Sequence, residues 1–508
     1  MKIGSQARLS DIVFYSLIVA VVALYVLIHY RLGLSFPTPW PDEAHFLWQA
    51  HAFATNNSLF SEVLNTERTI MWMPPGYLIL TGLYFKVVGT SLEAARLLSL
   101  LAMAAFFVLL VRFMAHYGHR WFALGLTSLF FFNARFIACG NIARMEALLL
   151  LAIVCAFILL QQGRFLYGLL ILGLTPLLHL NGIYFGLAGV AFILYQTPLK
   201  SLREMLNTRL LVVALLVAVA WIAYGVLIAA NWSSFIHDMG FQFRRKGGWD
   251  IWLVVTESQY LLLALLVLLG WAKAYGSKIR AIELLFFALP AWLIWPIGHE
   301  LWYEVIHHTG YLLISMFAIH MWFQLLPASG IAKRGQIKMA LTISFIFIVV
   351  WWNFRDQRIE NMIYYPDRAD LVTMGMKHEI PYITSDDIAL MSELLGSLAR
   401  DNGSLSVEFQ PNGDAFTFLE LEQDGVKFVC PVFQKREPDV LVVHRSRHLP
   451  TWWAFGDRAL DRAGLTKDSS EHIWHERDGT EQWFVVVFSE RVRAGDYYQN
   501  RMAYKTKL

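Results

Sequence analysis

Charge is what this chain has least of. Aspartate, glutamate, lysine and arginine together make up 16% of its 508 residues, and the 42 basic residues nearly balance the 39 acidic ones. A net charge of +3, thinly spread, excludes a nucleic-acid surface. Cysteine is scarcer still. Cys139, Cys155 and Cys430 form no spaced pair, so neither a disulfide framework nor a cysteine metal centre is expected. There is no HExxH or comparable ligand spacing and no internal repeat. The first apolar run lacks a small-residue cleavage site, and it reads as a retained anchor rather than a signal peptide.

What is abundant is apolar. Hydrophobic residues make up 57% of the chain and aromatic ones 15%, including 19 tryptophans. Stretches on the scale of a membrane crossing, roughly 20 residues, or somewhat shorter recur along the first two thirds of the chain. They lie near 12–32, 94–114, 121–137, 145–161, 165–179, 182–197, 209–230, 253–272, 281–297, 308–327 and 337–353. A polytopic α-helical membrane protein with about eleven transmembrane helices is therefore expected over residues 1–353. Residues 354–508 are richer in charge and lack long apolar runs. Strand-like stretches such as DAFTFLELE, VKFVCPVF, PDVLVVHR and QWFVVVFSE, with helical stretches near 386–400 and 455–464, predict a small soluble α/β or α+β domain there.

Basic residues in the short loops set the orientation. Lys200, Arg203 and Arg209 mark one loop as cytoplasmic, as do Lys273, Lys278 and Arg280, and Lys333, Arg334 and Lys338. Alternation then puts the N-terminus in the cytoplasm and the C-terminal domain outside, provided that the short apolar segment 74–90 does not cross fully. That segment opens on Pro74-Pro75 and carries Lys86, which suits a re-entrant or interfacial helix. On this topology the outer face collects 33–93, 138–144, 180–181, 231–252, 298–307 and 354–508. Nearly every side chain fit for chemistry falls on it or within two residues of it, including Asp42, Glu43, Arg68, Arg144, Glu146, His179, Arg244, Arg245, His299, Tyr303, His307 and His308.

The first outer loop carries the densest signal. In PTPWPDEAHFLWQAHAF, Pro41 suits the first position of a helix, and Asp42 and Glu43 fall in its first turn, where the helix dipole favours ionised carboxylates. Asp42, His45 and Gln49 share one helix face, while Phe46, Ala50 and Phe53 are expected to rest on the membrane. Arg144 and Glu146 flank a helix entrance. A glutamate at that depth needs a cavity or a partner, and the alternatives are a functional site or a pair that only anchors the helix.

Asp42-Glu43, Met73-Pro74-Pro75, Gly89-Thr90-Ser91 and Ala95-Arg96, followed by ARMEALLLLA at 143–152 and HLNGIYF at 179–185, come in an order that resembles a known family. It is the GT-C group of lipid-sugar-dependent glycosyltransferases, including protein O-mannosyltransferases, aminoarabinose transferases and related lipopolysaccharide-core transferases. The later segment YEVIHHTGYLLISMFAI resembles the family's Arg-Tyr-Leu-Leu-Pro element but lacks its Arg and Pro.

The resemblance implies a polyprenyl-phosphate sugar donor, a lipid, polysaccharide or protein acceptor that presents a hydroxyl, and inversion at the anomeric carbon. It makes Asp42 the general base and Glu43 its positioning partner. Arg68, Arg144, Glu146, Arg244, Arg245, His299, Tyr303, His307 and His308 become the candidates for binding the donor or its lipid phosphate. No cofactor is assigned, and a divalent metal ion stays compatible with the chemistry. The expected setting is a bacterial inner membrane, with membrane lipids as neighbours and the C-terminal domain periplasmic. The competing readings are a polytopic transporter, which would carry polar residues at mid-membrane and inverted repeats, and a non-catalytic envelope assembly protein.

Overall fold

The computed structural model describes residues 2–33, 41–64, 68–117, 120–197, 208–245, 282–298, 303–325, 385–410, 417–428, 438–446, 471–472, 482–493 and 495. The helical part comprises α1 (Lys2–Leu32), α2 (Pro41–Asn56), α3 (Gly76–Val88), α4 (Leu92–Ala115), α5 (Arg120–Phe131), α6 (Ala134–Gly140), α7 (Glu146–Gln161), α8 (Phe165–Leu178), α9 (Gly182–Gln196), α10 (Thr208–Ala230), α11 (Trp232–Arg245), α12 (Glu283–Gly298) and α13 (Glu304–Leu325). The expected spans 253–272 and 337–353 lie outside the described residues.

Three of these helices are long and apolar enough to cross a bilayer by themselves: Leu9–Leu32 of α1, α4 and α10. The stretch 121–137, expected as one continuous span, is instead a pair of helices bent by 77°. Asn133 is the cause. Its extended backbone ends α5, and its side chain accepts the Arg135 N–H to start α6. The bend aims the carbonyls of α6 at the anchor helix. Tyr25 Oη donates to the Phe136 carbonyl at 2.6 Å, and His29 Nε2 lies 2.9 Å from that of Ile137. Helix α3 has only 13 residues, about 20 Å at ~1.5 Å per residue, and falls short of a ~30 Å hydrocarbon layer.

The helices meet through aromatic and small residues. Phe106, Phe107, Phe113, Phe130, Phe131, Phe136, Phe157 and Phe287 are all fully buried in one core. At Gly310 of α13 the partner is backbone: a Cβ there would come within 2.4 Å of the Trp292 nitrogen and 2.7 Å of the Ala288 carbonyl oxygen on α12. Only glycine allows that approach.

The polar C-terminal part is an α/β domain. Helix α14 (Ser385–Asn402) precedes β1 (Leu405–Gln410), α15 (Leu419–Glu422), β2 (Val426–Phe428), β3 (Val440–Ser446), β4 (Glu471–His472), β5 (Gln482–Phe488) and α16 (Glu490–Arg493). The sheet order is β2-β1-β3-β5-β4. β1 pairs parallel with both β2 and β3, whereas β5 runs antiparallel to β3 and β4. The stretch 414–422, expected as a strand, instead contains α15. Phe418 and Leu419 are buried in the domain core, and Leu421 packs against both that core and the cluster of Ala44, Trp48 and Leu64. The expected helix at 455–464 lies outside the described residues.

This domain sits on α2. Trp48 Nε1 donates to Thr417 Oγ1 at 2.9 Å, and Leu421 packs against the cluster of Ala44, Trp48 and Leu64. Leu47 and Ala50 of α2, with Leu92 and Ala95 of α4, share a core with Leu394, Leu395, Phe418 and Val440 of the domain. The expectation that Phe46, Ala50 and Phe53 rest on the membrane is corrected here. Phe46 and Ala50 are buried in protein, and Phe53 lies against Gly82 of α3.

Gly310→Ala inserts a methyl group where only backbone can give way. It should destabilise the detergent-solubilised protein by about 1–3 kcal/mol, read as a lowered melting midpoint in a thermal-shift assay.

Candidate active site

Helix α2 places two adjacent carboxylates in different surroundings. Glu43 points into the protein and is 1% exposed. Its Oε2 accepts from Arg96 Nη2 at 2.7 Å, while its Oε1 accepts from Arg96 Nε at 2.9 Å and from the Ala143 N–H at 2.7 Å. The Arg96 guanidinium also reaches the carbonyl of Gly33, as does Asn141 Nδ2 at 2.8 Å. One buried ion pair thus joins the end of α1, the start of α2, the first turns of α4 and the approach to α7.

Asp42 points along the rim. Its Oδ2 accepts from Arg144 Nη1, and its side chain keeps 19% of its surface exposed. Arg144 in turn donates from Nε and Nη2 to the two oxygens of Glu146, at 3.3 and 3.1 Å, and lies over the ring of Phe46. Burial works against the Arg144 charge. The Glu146 and Asp42 carboxylates outweigh it and raise the pKa above the ordinary arginine value, so the cation is permanent. The oxygens of the three carboxylates are not equally engaged. Both oxygens of Glu43 and both of Glu146 hold hydrogen bonds, whereas Asp42 Oδ1 makes none among the described residues.

An aromatic wall stands beside this cluster. Phe46 stacks on Trp72 with centroids 5.6 Å apart and planes 4° off parallel, and His45 meets Trp72 edge-on at 5.7 Å. Gln49 donates to the Ile70 carbonyl at 2.8 Å and so fastens the loop that carries Trp72. Among the described residues no group of three or more His, Cys, Asp or Glu side chains gathers as a metal ion would require.

No family model and no curated protein matches the sequence. Among solved structures the chain is similar to ArnT from Cupriavidus metallidurans, whose crystal structure has undecaprenyl phosphate bound. The match covers 93% of this chain and 98% of that one, with a TM-score of 0.54 and 14% identity. The chain has the GT-C fold.

Within this GT-C architecture, the segments that hydropathy assigns to one face are joined by contacts. Asp42 ties the first loop to Arg144, Trp48 ties it to the C-terminal domain, and Gly76 abuts the Leu177 carbonyl at the end of α8. Arg68 Nη1 and Nη2 donate to Asp238 Oδ2 and Oδ1 at 2.9 and 2.7 Å, tying the same loop to α11. Tyr303 is buried and meets His179 edge-on at 5.1 Å.

The other expected donor-binding residues are placed as follows. Arg244 and Arg245 end α11. The Nδ1 atoms of His307 and His308 bond the backbone carbonyls of Trp292 and Glu304, at 2.6 and 2.8 Å. His299 lies outside the described residues. The structure brings together Asp42, Glu43, Arg144 and Glu146. It puts Arg68 in a separate pair with Asp238, and His307 and His308 on α13.

Four further residues matter to this geometry: Arg96, Asp238, Arg135 and Glu304, the last two paired with each other. Arg96 had a signal in the sequence, since an arginine within the first turns of an apolar run needs a partner at that depth. The partners themselves lie tens of residues away, and spacing does not show them.

Two outcomes follow from these pairs. Glu43→Ala takes from buried Arg96 its carboxylate partner and should destabilise by about 3–5 kcal/mol, whereas Asp42→Ala, at the partly open rim, should shift the melting midpoint far less. For Asp238, burial opposes the charge, but hydrogen bonds from Arg68, the Met71 N–H and His237 hold the carboxyl below its usual value. A lowered folded-state pKa stabilises above the unfolded value of about 4 and is lost as pH falls below it. Asp238→Asn should therefore flatten the loss of thermal stability between about pH 5 and pH 3.

Proposed function

We propose that this protein is an integral membrane glycosyltransferase that moves a monosaccharide from a polyprenyl-phosphate donor to a hydroxyl acceptor, with Asp42 as the general base. The observation that carries the reading is the unengaged Oδ1 of Asp42. Of the three carboxylates in the cluster, it alone has an oxygen open to a proton, and it lies at the partly exposed rim. The fold shared with ArnT, which has undecaprenyl phosphate bound in its crystal structure, supports the choice of a lipid-borne donor.

The steps follow from these groups. The acceptor hydroxyl attacks the anomeric carbon from the side opposite the phosphate, and Asp42 Oδ1 takes its proton as the new C–O bond forms. The old bond between the anomeric carbon and the phosphate oxygen breaks, and the electron pair leaves with the lipid phosphate. A phosphate leaving group needs no general acid, so one base suffices and the product is inverted. Arg144, permanently charged and held by Glu146, binds Asp42 Oδ2 and so leaves Oδ1 as the oxygen that faces the acceptor hydroxyl. Glu43 and Arg96 do not touch the substrates in this scheme. They are positioning residues that hold the first turn of α2. The partly exposed indole of Trp72, stacked on Phe46, offers a flat face to a sugar ring.

The reaction is assigned to the periplasmic side of a bacterial inner membrane, with the C-terminal domain on that side as well. The basic loops on the opposite side support this orientation.

The test uses the full-length protein in proteoliposomes with a panel of polyprenyl-phosphate sugars, and reads release of polyprenyl phosphate. Mass spectrometry of surface glycolipids and glycoproteins from cells with and without the gene identifies the acceptor. Asp42→Asn should lower the turnover by about 10²–10⁴-fold while leaving the amount of folded protein unchanged. A mutant as active as the parent would remove Asp42 from the chemistry.

A further inference from the structure

Helix α11 is built inside out. Its row at four-residue intervals, Ser234, Asp238 and Gln242, is buried against the protein. Trp232 and Ile236, one turn apart on another face, are 59% and 51% exposed, and Phe241 is 55% exposed farther along. A helix on the surface of a water-soluble protein does the reverse, turning its apolar stripe inward and its polar side out. Here the polar row is the one that the protein receives. Asp238 accepts both Arg68 amino groups and the Met71 N–H, the last at 2.7 Å.

The place of α11 in the chain says what covers the other face. It starts one residue after α10, an apolar helix of 23 residues in which Tyr224 is the one buried residue. One side of α10 packs on α8, where Trp221 Nε1 donates to the Gly173 carbonyl at 3.0 Å. Its exposed side, with Leu211, Leu215, Val219 and Ile222, is long and apolar enough for a bilayer to cover, and α11 turns away at its end. A tryptophan at the turn is the residue type that gathers at headgroup depth.

We propose that α11 lies in the headgroup plane of the bilayer, with Trp232 and Ile236 set into the acyl boundary and Ser234, Asp238 and Gln242 turned to the protein. The partner is the lipid leaflet itself. Because Asp238 is latched to Arg68 and Met71, the first loop and the rim that carries Asp42 are held at the height of that leaflet. This surface is independent of the transferase reading, since it requires only that α10 spans the membrane.

The test places p-benzoylphenylalanine in place of Ile236 in the full-length protein, reconstituted in nanodiscs of phosphatidylethanolamine and phosphatidylglycerol. Leu215 of α10, exposed on the lipid-facing span, receives the same probe as a positive control. His237, whose side chain is 66% exposed and lies on neither the buried polar row nor the row of Trp232 and Ile236, serves as the contrast. After irradiation, the proteins probed at Ile236 and at Leu215 should each gain the mass of one phospholipid, and the protein probed at His237 should not. Crosslinks from position 236 to another segment of the chain or to a second copy would overturn the proposal. So would the absence of any lipid adduct at 236 while 215 reacts, or equal labelling at 236 and 237.

Discussion

Glu43 and Arg96 meet where almost no water reaches, and their contact decides where four segments of this protein begin or end. A buried ion pair is weak evidence of stability, because taking two charges out of water offsets much of their attraction. What this pair supplies is location. A guanidinium has a rigid fork of donors, and a carboxylate that fills two of them has little freedom left. The Ala143 N–H on the same carboxylate adds the loop before α7, and the Gly33 carbonyl on the same guanidinium adds the end of α1. With its neighbour fixed in this way, Asp42 has one direction in which to point, which is along the rim toward Arg144.

The other side of α2 belongs to the C-terminal domain. Glu43 is held by Arg96 and the Ala143 N–H of the membrane module, whereas Leu47 lies in the core shared with the domain, and Ala44 and Trp48 lie in a cluster with Leu421 of the domain. The helix that carries the candidate base is therefore sandwiched, with exposure left only near Asp42, His45, His51 and its C-terminal end. The domain holds no catalytic constellation among its described residues. Its described contacts with the helix of the candidate site are the hydrogen bond from Trp48 to Thr417 and the apolar packing around it.

Much of this was legible in the sequence. Apolar runs of membrane length, the sharp change of composition after residue 353 and the proline-led first turn with Asp42 and Glu43 each express a local physical rule. The pairing of Arg144 with Glu146 was legible too, since the two residues flank one helix entrance. What stayed hidden is long-range or depends on a competition. Arg68 has a partner in Asp238, 170 positions away, which accepts from both its amino groups and which no spacing in the sequence shows. The run at 121–137 looked continuous because hydropathy does not register one asparagine that offers its side chain as a cap. The packing of α2 against a domain more than three hundred residues later has no signature in the spacing of its own residues.

The bend at Asn133 also bears on what kind of helix α1 is. The short helix after it turns two carbonyl groups toward the anchor, and the phenol of Tyr25 and the imidazole of His29 meet them inside the protein. Any sufficiently greasy leader would insert in a bilayer, but it would leave those two oxygens facing hydrocarbon, a burden of the kind that no bilayer relieves. The first helix is thus a fitted part of the bundle, and exchanging it for a generic hydrophobic tether would undo the seat on which the rim that carries Asp42 is built.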